Sequence, residues 1–340
     1  MKIAFTSCCD PHNDDKQVAW LELAKQKPDV LVLLGDNMYM DYGLGKGSIK
    51  LKAPKGFSDF EFTNAMHEKY AMQWAIPSFH AAILNISKIY AIWDDHDFAW
   101  NNSRGEGDER DDELVPNTKR AIAKRLFEQF RQALITKPPA NLYPSNPYAT
   151  GIPAGFTGLP YIGIQETISD LSPGVQLHLL DGRSFRPEQG KTKSFLGETQ
   201  QKALQNQLLN NGGIHLIASG TVLDDWKKFN DKKWLNSIAE NANIIVLSGD
   251  IHEPAFYHRH RIFEFTASAM AQPAKITSIF GKESNVFGIL EIFDKTIITN
   301  IYQWNDKKQE LVAKKSAEID KINWVLTGIS EKTNDYHDVE

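Results

Sequence analysis

Cysteine is nearly missing from this chain. Only Cys8 and Cys9 occur among 340 residues, and they are neighbours. A disulfide-stapled fold is therefore excluded, and the composition suits a reducing compartment. Long apolar runs are missing too: none approaches the roughly 20 residues of a membrane-spanning helix. The strand-like KIAFTS near the start is not the basic-then-apolar pattern of a secretory leader. The expectation is a soluble, cytoplasmic protein with no membrane association. Positive charge is not in excess either. The formal net charge is −5, whereas a general nucleic-acid binder needs a basic face to neutralise phosphates, so stable nucleic-acid binding is not expected. An acidic balance leaves a small phosphorylated substrate open, because bound cations reverse the field around them. There is no internal repeat, and nothing bears on the oligomeric state.

What is present is a large apolar fraction, 41%, enough for a sizeable core. Periodicity predicts strands over residues 2–7, 30–34 and 89–92, with helices over 14–27 and 60–74 between them, the latter ending near Pro77. Residues 43–56 read as a loop, the acidic stretch 103–117 as a solvated loop, 118–134 as a long helix and 137–160 as irregular. Beyond these, the pattern turns toward antiparallel strands, 161–168 and 175–180 around a Ser-Pro-Gly turn. Helices over 198–209 and 231–240 alternate with strands over 214–218 and 243–247, and strands at 262–266, 286–292 and 297–303 follow. The expected fold is α/β (α+β), a four-layer αββα sandwich of two mixed β-sheets flanked by helices. It forms one domain over 1–329, with a polar tail over 330–340.

The chemistry sits where strands end. VLSGDIH (residues 246–252) begins as a buried strand and stops by delivering an aspartate and a histidine two residues apart. KIAFTSCCDPH, VLVLLGDNMYMD and IYAIWDDHD repeat the pattern. Loops beyond strand carboxyl ends converge on rigid supports, which is where α/β proteins place ligands. The four clusters offer Cys8, Cys9, Asp10 and His12; Asp36, Tyr39 and Asp41; Asp94, Asp95, His96, Asp97 and Asn101; and Asp250 with His252. Carboxylates, imidazoles, a thiol and a phenol together suit two hard or borderline cations, and suit Mg²⁺ alone poorly.

These motifs resemble the calcineurin-like metallophosphoesterase superfamily and, within it, the alkaline phosphatase D (PhoD-like) branch. The resemblance is carried by Ser7-Cys8, GDNMYMD (35–41), WDDHD (93–97), DGRSFR (181–186) and SGDIH (248–252). It implies a metal-dependent phosphoester hydrolase, a phosphodiesterase or alkaline phosphatase with two or more di- or trivalent metal ions. Fe³⁺ with Ca²⁺ is the implied pair, with Mn²⁺ or Zn²⁺ as alternatives. Asp36 would bridge two metals, Tyr39 would be a tyrosinate ligand to Fe³⁺, and Asp250 and His252 would each face a metal. In the first cluster Cys8 stands where the superfamily has its first Asp, and Asp10 where it has its His, although Asp10-Pro11-His12 is itself a literal Asp-x-His. In the third, Asp95 and Asn101 compete for one ligand position, and Ala99 replaces a usual Gly. His96 falls at the catalytic position.

Such a site makes a hydroxide for in-line attack on phosphorus by bringing the pKa of water from about 15.7 to about 7. His96 would assist the leaving group. Arg183 and Arg186 are candidates to hold substrate phosphate through bidentate hydrogen bonds, with an Arg183–Asp181 ion pair as the structural alternative. Two other readings remain: a metal-dependent hydrolase of non-phosphate esters or amides, and a non-catalytic metal-binding descendant of the fold.

Overall fold

A strand that is apolar at every position must be covered on both faces. The computed structural model shows the coverage for residues 1–41, 54–108, 111–159, 161–190, 193–272 and 284–330, the residues it describes. Strands β1 (Lys2–Thr6), β2 (Val30–Leu34) and β3 (Lys88–Ile92) lie side by side in parallel. Strands β4 (Glu166–Ser172), β5 (Val175–Leu179), β6 (Ile214–Ser219), β7 (Asn243–Ser248), β8 (Ala255–Arg259) and β9 (Ile262–Thr266) form a second sheet in the order β4-β5-β6-β7-β9-β8. The chain then returns to the first sheet. There β10 (Val286–Ile292), β11 (Thr296–Asn305), β12 (Glu310–Asp320) and β13 (Val325–Ile329) extend it antiparallel from β1.

Because side chains alternate along a strand, each central strand feeds two layers. Ile3, Phe5, Val30, Val32 and Leu34 meet Leu177, Leu179, Leu216, Ala218, Ile245 and Leu247 between the sheets. Ala4, Leu31 and Leu33 point the other way. They are covered by α1 (Ala19–Lys25), α2 (Asp59–Ala75), α3 (Pro77–Asn85), the single turn α4 (Asp95–Phe98) and α5 (Asn117–Thr136). On the far side, Ile217, Ile244 and Val246 pack under α6 (Glu198–Asn210), α7 (Leu223–Trp226) and α8 (Asp231–Ala239). The result is the expected helix–sheet–sheet–helix stack.

Several elements depart from expectation. The first helix begins five residues late because the Asp14 carboxylate accepts the amides of Lys16 and Gln17, both at 2.9 Å, and holds a turn there. Pro77 does not merely end a helix. It opens α3, at a first-turn position where its missing N–H has no helical partner to lose. The second sheet is antiparallel only at its edges, β4 and β8, and parallel from β5 to β9. β8, β12, β13 and the short α4 and α7 were not expected. Of the loop expected over 43–56, residues 43–53 lie outside the described residues, as do 331–340 of the tail.

The described residues of the acidic stretch 103–117 form a folded loop that keeps Asp108 and Asp112 in solvent. Arg104 is buried at its centre, ion-paired with Asp111 and Glu113. Its backbone pairs with Glu113 and Val115. The amides of Gly105 and Glu106 donate to the carbonyls of Arg183 and Arg186 at 2.9 and 3.1 Å, which docks this loop on residues 181–186.

Across β4, β5 and β6 runs a buried chain of polar groups. The carbonyl of Asn211 can only accept, so His215 Nε2 donates to it (2.9 Å) and its Nδ1 accepts from His178 Nε2 (3.0 Å). His178 Nδ1 then accepts from the Thr167 hydroxyl (3.1 Å). Both rings are neutral in this arrangement. Burial, then the neighbouring His215, pushes His178 down to about 3, and burial lowers His215 as well. A depressed imidazole means that the unfolded chain binds a proton the native state refuses. Stability is therefore whole above pH about 6.5, the ordinary histidine value, and falls as pH drops from there toward 3. Urea unfolding between pH 7 and 4 is expected to show this loss, and His178→Gln with His215→Gln to flatten it. An unchanged slope in the double variant would remove the pair from the acid response.

Candidate metal centre

The loop after β1 is held between loops from both sheets. Cys8 and Cys9 donate their amides to the carbonyls of Gly35 and Asp36 at 3.2 and 2.8 Å, beyond the end of β2. On the other side, Met270 and Ala271 donate to the carbonyls of Ser7 and Cys8 at 2.9 and 3.0 Å, beyond β9. Four non-glycine residues here have left-handed backbone: Cys8 (φ 62°), Asp36 (φ 50°), Asp250 (φ 73°) and His252 (φ 56°). Each such residue costs on the order of 1–3 kcal/mol and persists where surrounding structure imposes it, commonly at functional sites.

The imposed geometry brings side chains together around Asp36. Cys8 Sγ lies 3.6 Å from Asp36 Oδ2, and the Tyr39 hydroxyl donates to the same oxygen at 3.2 Å while sitting 3.1 Å from His252 Nε2. Among the described residues, three sets of potential ligand atoms lie within 4.8 Å of one another: Cys8, Asp36 and His252; Asp36, Asp95 and His96; and Asp36, Asp94 and Asp250. Asp36 belongs to all three.

The electrostatics follow from burial. Burial and the charges of Asp95 and Cys8 push the Asp36 carboxyl well up. Burial, then Asp94 and Asp95, push Asp250 up to about 7. Burial raises the Cys8 thiol and, with Asp36, the Tyr39 phenol. Asp95 goes the opposite way: burial opposes it, but Arg183 and His96 prevail and hold it below the usual carboxylate range. His96 is raised to about 9, since Asp95 and Asp41 outweigh burial. Desolvation favours the protonated forms of Asp36, Cys8, Tyr39 and Asp250, and a bound metal ion would favour their ionised forms instead. The donor set of carboxylates, imidazoles, a thiol and a phenol fits such ions.

Cys8, Asp36, Tyr39, Asp95, His96, Asp250 and His252 thus come together. Asp10 is buried beside them but spends its carboxylate on the His12 amide (2.9 Å) and Asn13 Nδ2 (2.8 Å), and joins none of the three sets. Asn101 is exposed and contributes only its amide, to Asp41 at 3.0 Å; it is Asn102 whose amide reaches Asp95, at 2.6 Å. His12 is exposed, with Nε2 2.7 Å from Lys69 Nζ.

The arginines hold the scaffold. Arg183, 3% exposed, grips Asp94 through Nε at 2.5 Å and Nη2 at 2.7 Å, with Asp95 3.7 Å from Nη1. Asp181 is not its side-chain partner. That carboxylate accepts Trp93 Nε1 (2.9 Å) and the amides of Ile164, Arg183 and Ser184, which fixes the turn. Arg186 is buried over the rings of Phe195 and Phe229 and donates to the Thr221 hydroxyl at 3.0 Å.

Two roles escaped the sequence reading. Asp41 accepts from His96 Nδ1 at 2.6 Å. Asp97 gathers Tyr70 OH (2.9 Å) and the amides of Asn37 and Asp94, tying α2 and two loops together. Asp94 is pressed between glycines: a Cβ at Gly35 would lie 2.6 Å from its Cβ and one at Gly220 2.7 Å from its Cγ, distances no side chain tolerates.

A family model described as PhoD-like phosphatase matches residues 3–233, more than half of the chain. The chain belongs to the PhoD-like phosphatase family. As a PhoD-like phosphatase it is a metal-dependent phosphoesterase acting on phosphorylated substrates. A solved structure of PhoD is similar over 99% of this chain and 72% of that one, at 16% identity and a TM-score of 0.64, which speaks for the fold. GAP50, the anchor in the inner membrane complex of Plasmodium, aligns over 98% of this chain and 91% of that one, at 11% identity and a TM-score of 0.46. No curated protein matches. Among the described residues, no helix is long and apolar enough to cross a membrane.

Removing Arg183 strands Asp94 as a buried, unpaired carboxylate. Arg183→Met is expected to destabilise the protein by roughly 3–5 kcal/mol. Asp94→Asn in the same background should recover part of the loss, as read by thermal and urea denaturation. A single variant as stable as the parent would refute the clamp.

Proposed function

We propose that this PhoD-like phosphatase hydrolyses phosphoesters at the cluster centred on Asp36, with two cations shared through that carboxylate. The carrying observation is the convergence on Asp36 of Cys8, Tyr39 and His252 on one side and Asp95 and His96 on the other. Cys8, Asp36, Tyr39 and His252 would hold one ion. The thiol and phenol among them suit Fe³⁺, as the family resemblance implies. Asp36 with Asp95, and Asp36 with Asp250 beside Asp94, offer the oxygen ligands that Ca²⁺ prefers, with Mn²⁺ or Zn²⁺ as alternatives. When bound, such ions supply Lewis acidity that polarises the phosphoryl group and brings the ionisation of water near neutral pH.

The chain's own residues do the rest. Asp41 accepts the Nδ1 proton of His96 and orients the ring, whose Nε2–H would serve the leaving-group oxygen. The Tyr39 ring, with its centroid 4.0 Å from that of the imidazole, limits its rotation. Arg183 neutralises Asp94, so that this carboxylate orders the loop instead of adding to the charge that the cations must balance.

Hydrolysis of p-nitrophenyl phosphate and bis-(p-nitrophenyl) phosphate tests the reading. Asp36→Asn and exhaustive chelation are each expected to abolish turnover and to reduce metal content. His96→Asn should lower kcat by roughly 10²–10⁴. Asp41→Asn should lower it less, and adding it to His96→Asn should cost nothing further, since the two act as one unit. A visible phenolate-to-iron band should vanish in Tyr39→Phe. Full metal occupancy with neither ester hydrolysed would defeat the proposal.

A further inference from the structure

Arg183 is committed to Asp94, and Arg186 lies over two aromatic rings with Thr221 and Asp225 as partners. A third cation stands at the edge of the site. Lys69, on α2, is 4% exposed. The next residue, Tyr70, donates its hydroxyl to Asp97 at 2.9 Å and so locks this turn of the helix to the WDDHD loop. Lys69 Nζ lies 2.7 Å from His12 Nε2. An ammonium can only donate, so His12 accepts there and carries its proton on Nδ1. Burial weakens the ammonium, and the carboxylates of Asp10, Glu68 and Asp41 support it. Asp41 is the partner of His96, and Asp10 feels both Lys69 and His96. Lys69 therefore belongs to the charge system of His96, on its Asp41 side.

We propose that Lys69 is the seat for one anionic oxygen of a phosphomonoester, which takes the place of the His12 imidazole. The proposal rests on the phosphoester reading above. Two facts favour exchange at this position. His12 is exposed, so its ring can turn into water, whereas the partner of Arg183 is a buried carboxylate. A phosphoryl oxygen is also charged and a neutral imidazole is not, so the exchange converts a neutral acceptor into a charge-assisted one. The substrate class follows from counting oxygens. A diester offers two unesterified oxygens and a monoester three, so a protein cation at the rim of a cluster that would itself hold cations adds most for the monoester. A lysine supported by Asp10 and Asp41 at this rim therefore favours monoesters.

The test compares wild type, Lys69→Met, Lys69→Arg and His12→Ala on p-nitrophenyl phosphate and bis-(p-nitrophenyl) phosphate, with binding of inorganic phosphate measured by calorimetry. Lys69→Met should raise KM for the monoester and Kd for phosphate by on the order of 10- to 100-fold, the worth of one charge-assisted hydrogen bond. KM for the diester should move less than about twofold, and metal content should be unchanged. Lys69→Arg should restore most of the loss, and His12→Ala, which removes the competing acceptor, should lower the monoester KM. Unchanged phosphate affinity in Lys69→Met, or equal losses on the two esters, would overturn the proposal. If Lys69→Met does not fold, His12→Ala decides: an unchanged or raised monoester KM overturns it. Wild type inert toward both esters while Lys69→Met still loses phosphate affinity would leave the seat standing and defeat the hydrolytic reading instead.

Discussion

Asp36 is buried with Asp94, Asp95, Asp97 and Cys8 close enough to raise the cost of its charge. An ionised carboxylate without compensation in such a place is among the most expensive arrangements a protein can hold. Much of the surrounding architecture either supplies compensation or holds the backbone so that it can be supplied. Arg183 answers Asp94, Asn37 and Tyr70 answer Asp97 with hydrogen bonds, and His96 answers Asp41 and Asp95. Asp36 is met by hydrogen bonds from the Tyr39 hydroxyl and the His96 amide, and Asp250 is pushed up to about 7. Together with a thiol, a phenol and an imidazole, these two carboxyl groups are what a cation would draw into their ionised forms.

The same constraint explains why the site needs both sheets. Cys8 comes from the end of β1, and Asp250 and His252 follow β7, so the two halves of the cluster meet only because the apolar layer between the sheets fixes their ends together. The loops are then joined by backbone hydrogen bonds on both sides of Cys8. Left-handed backbone at four positions of the cluster is sustained by this joining. The acidic loop belongs to the same support. Its internal ion pairs around Arg104 and its amides on Arg183 and Arg186 hold those arginines from behind.

What the sequence revealed was local, and what it hid was not. A strand that stops at a Gly-Asp or Ser-Gly-Asp points to a polar loop, as at Asp36, Asp250 and His252, and WDDHD sets His96 just past a third strand, so their convergence was to be expected from the sequence. In WDDHD, composition cannot say which carboxylate does what. Asp94 sits just before α4 with extended backbone, Asp95 is the first residue of that turn, and Arg183, 89 positions away, separates their fates. Nearness in sequence suggested an Arg183–Asp181 pair, but the turn's own amides claim Asp181 first. Asn101 and Asn102 differ by one position, and the left-handed backbone at Asn102 (φ 61°) helps decide which amide reaches Asp95. β12 escaped for another reason: its alternation between buried and exposed positions is irregular and is interrupted by a shift of register against β11.

The site also grades from rigid to yielding. Asp36, Asp94, Asp95 and Asp97 are buried and each is crossed by several hydrogen bonds, so their geometry changes little without unfolding the loops that carry them. At the rim, Asp41 is less deeply buried and His12 is exposed. Hydrolysis needs both properties, since reacting groups must be held in place while the substrate must enter and leave. Placing the inflexible charges at the sheet ends and the replaceable contact on a loop beyond Pro11 meets both demands with one backbone. The chemistry stays fixed by the fold, and access depends on a side chain whose displacement disturbs no buried ion pair.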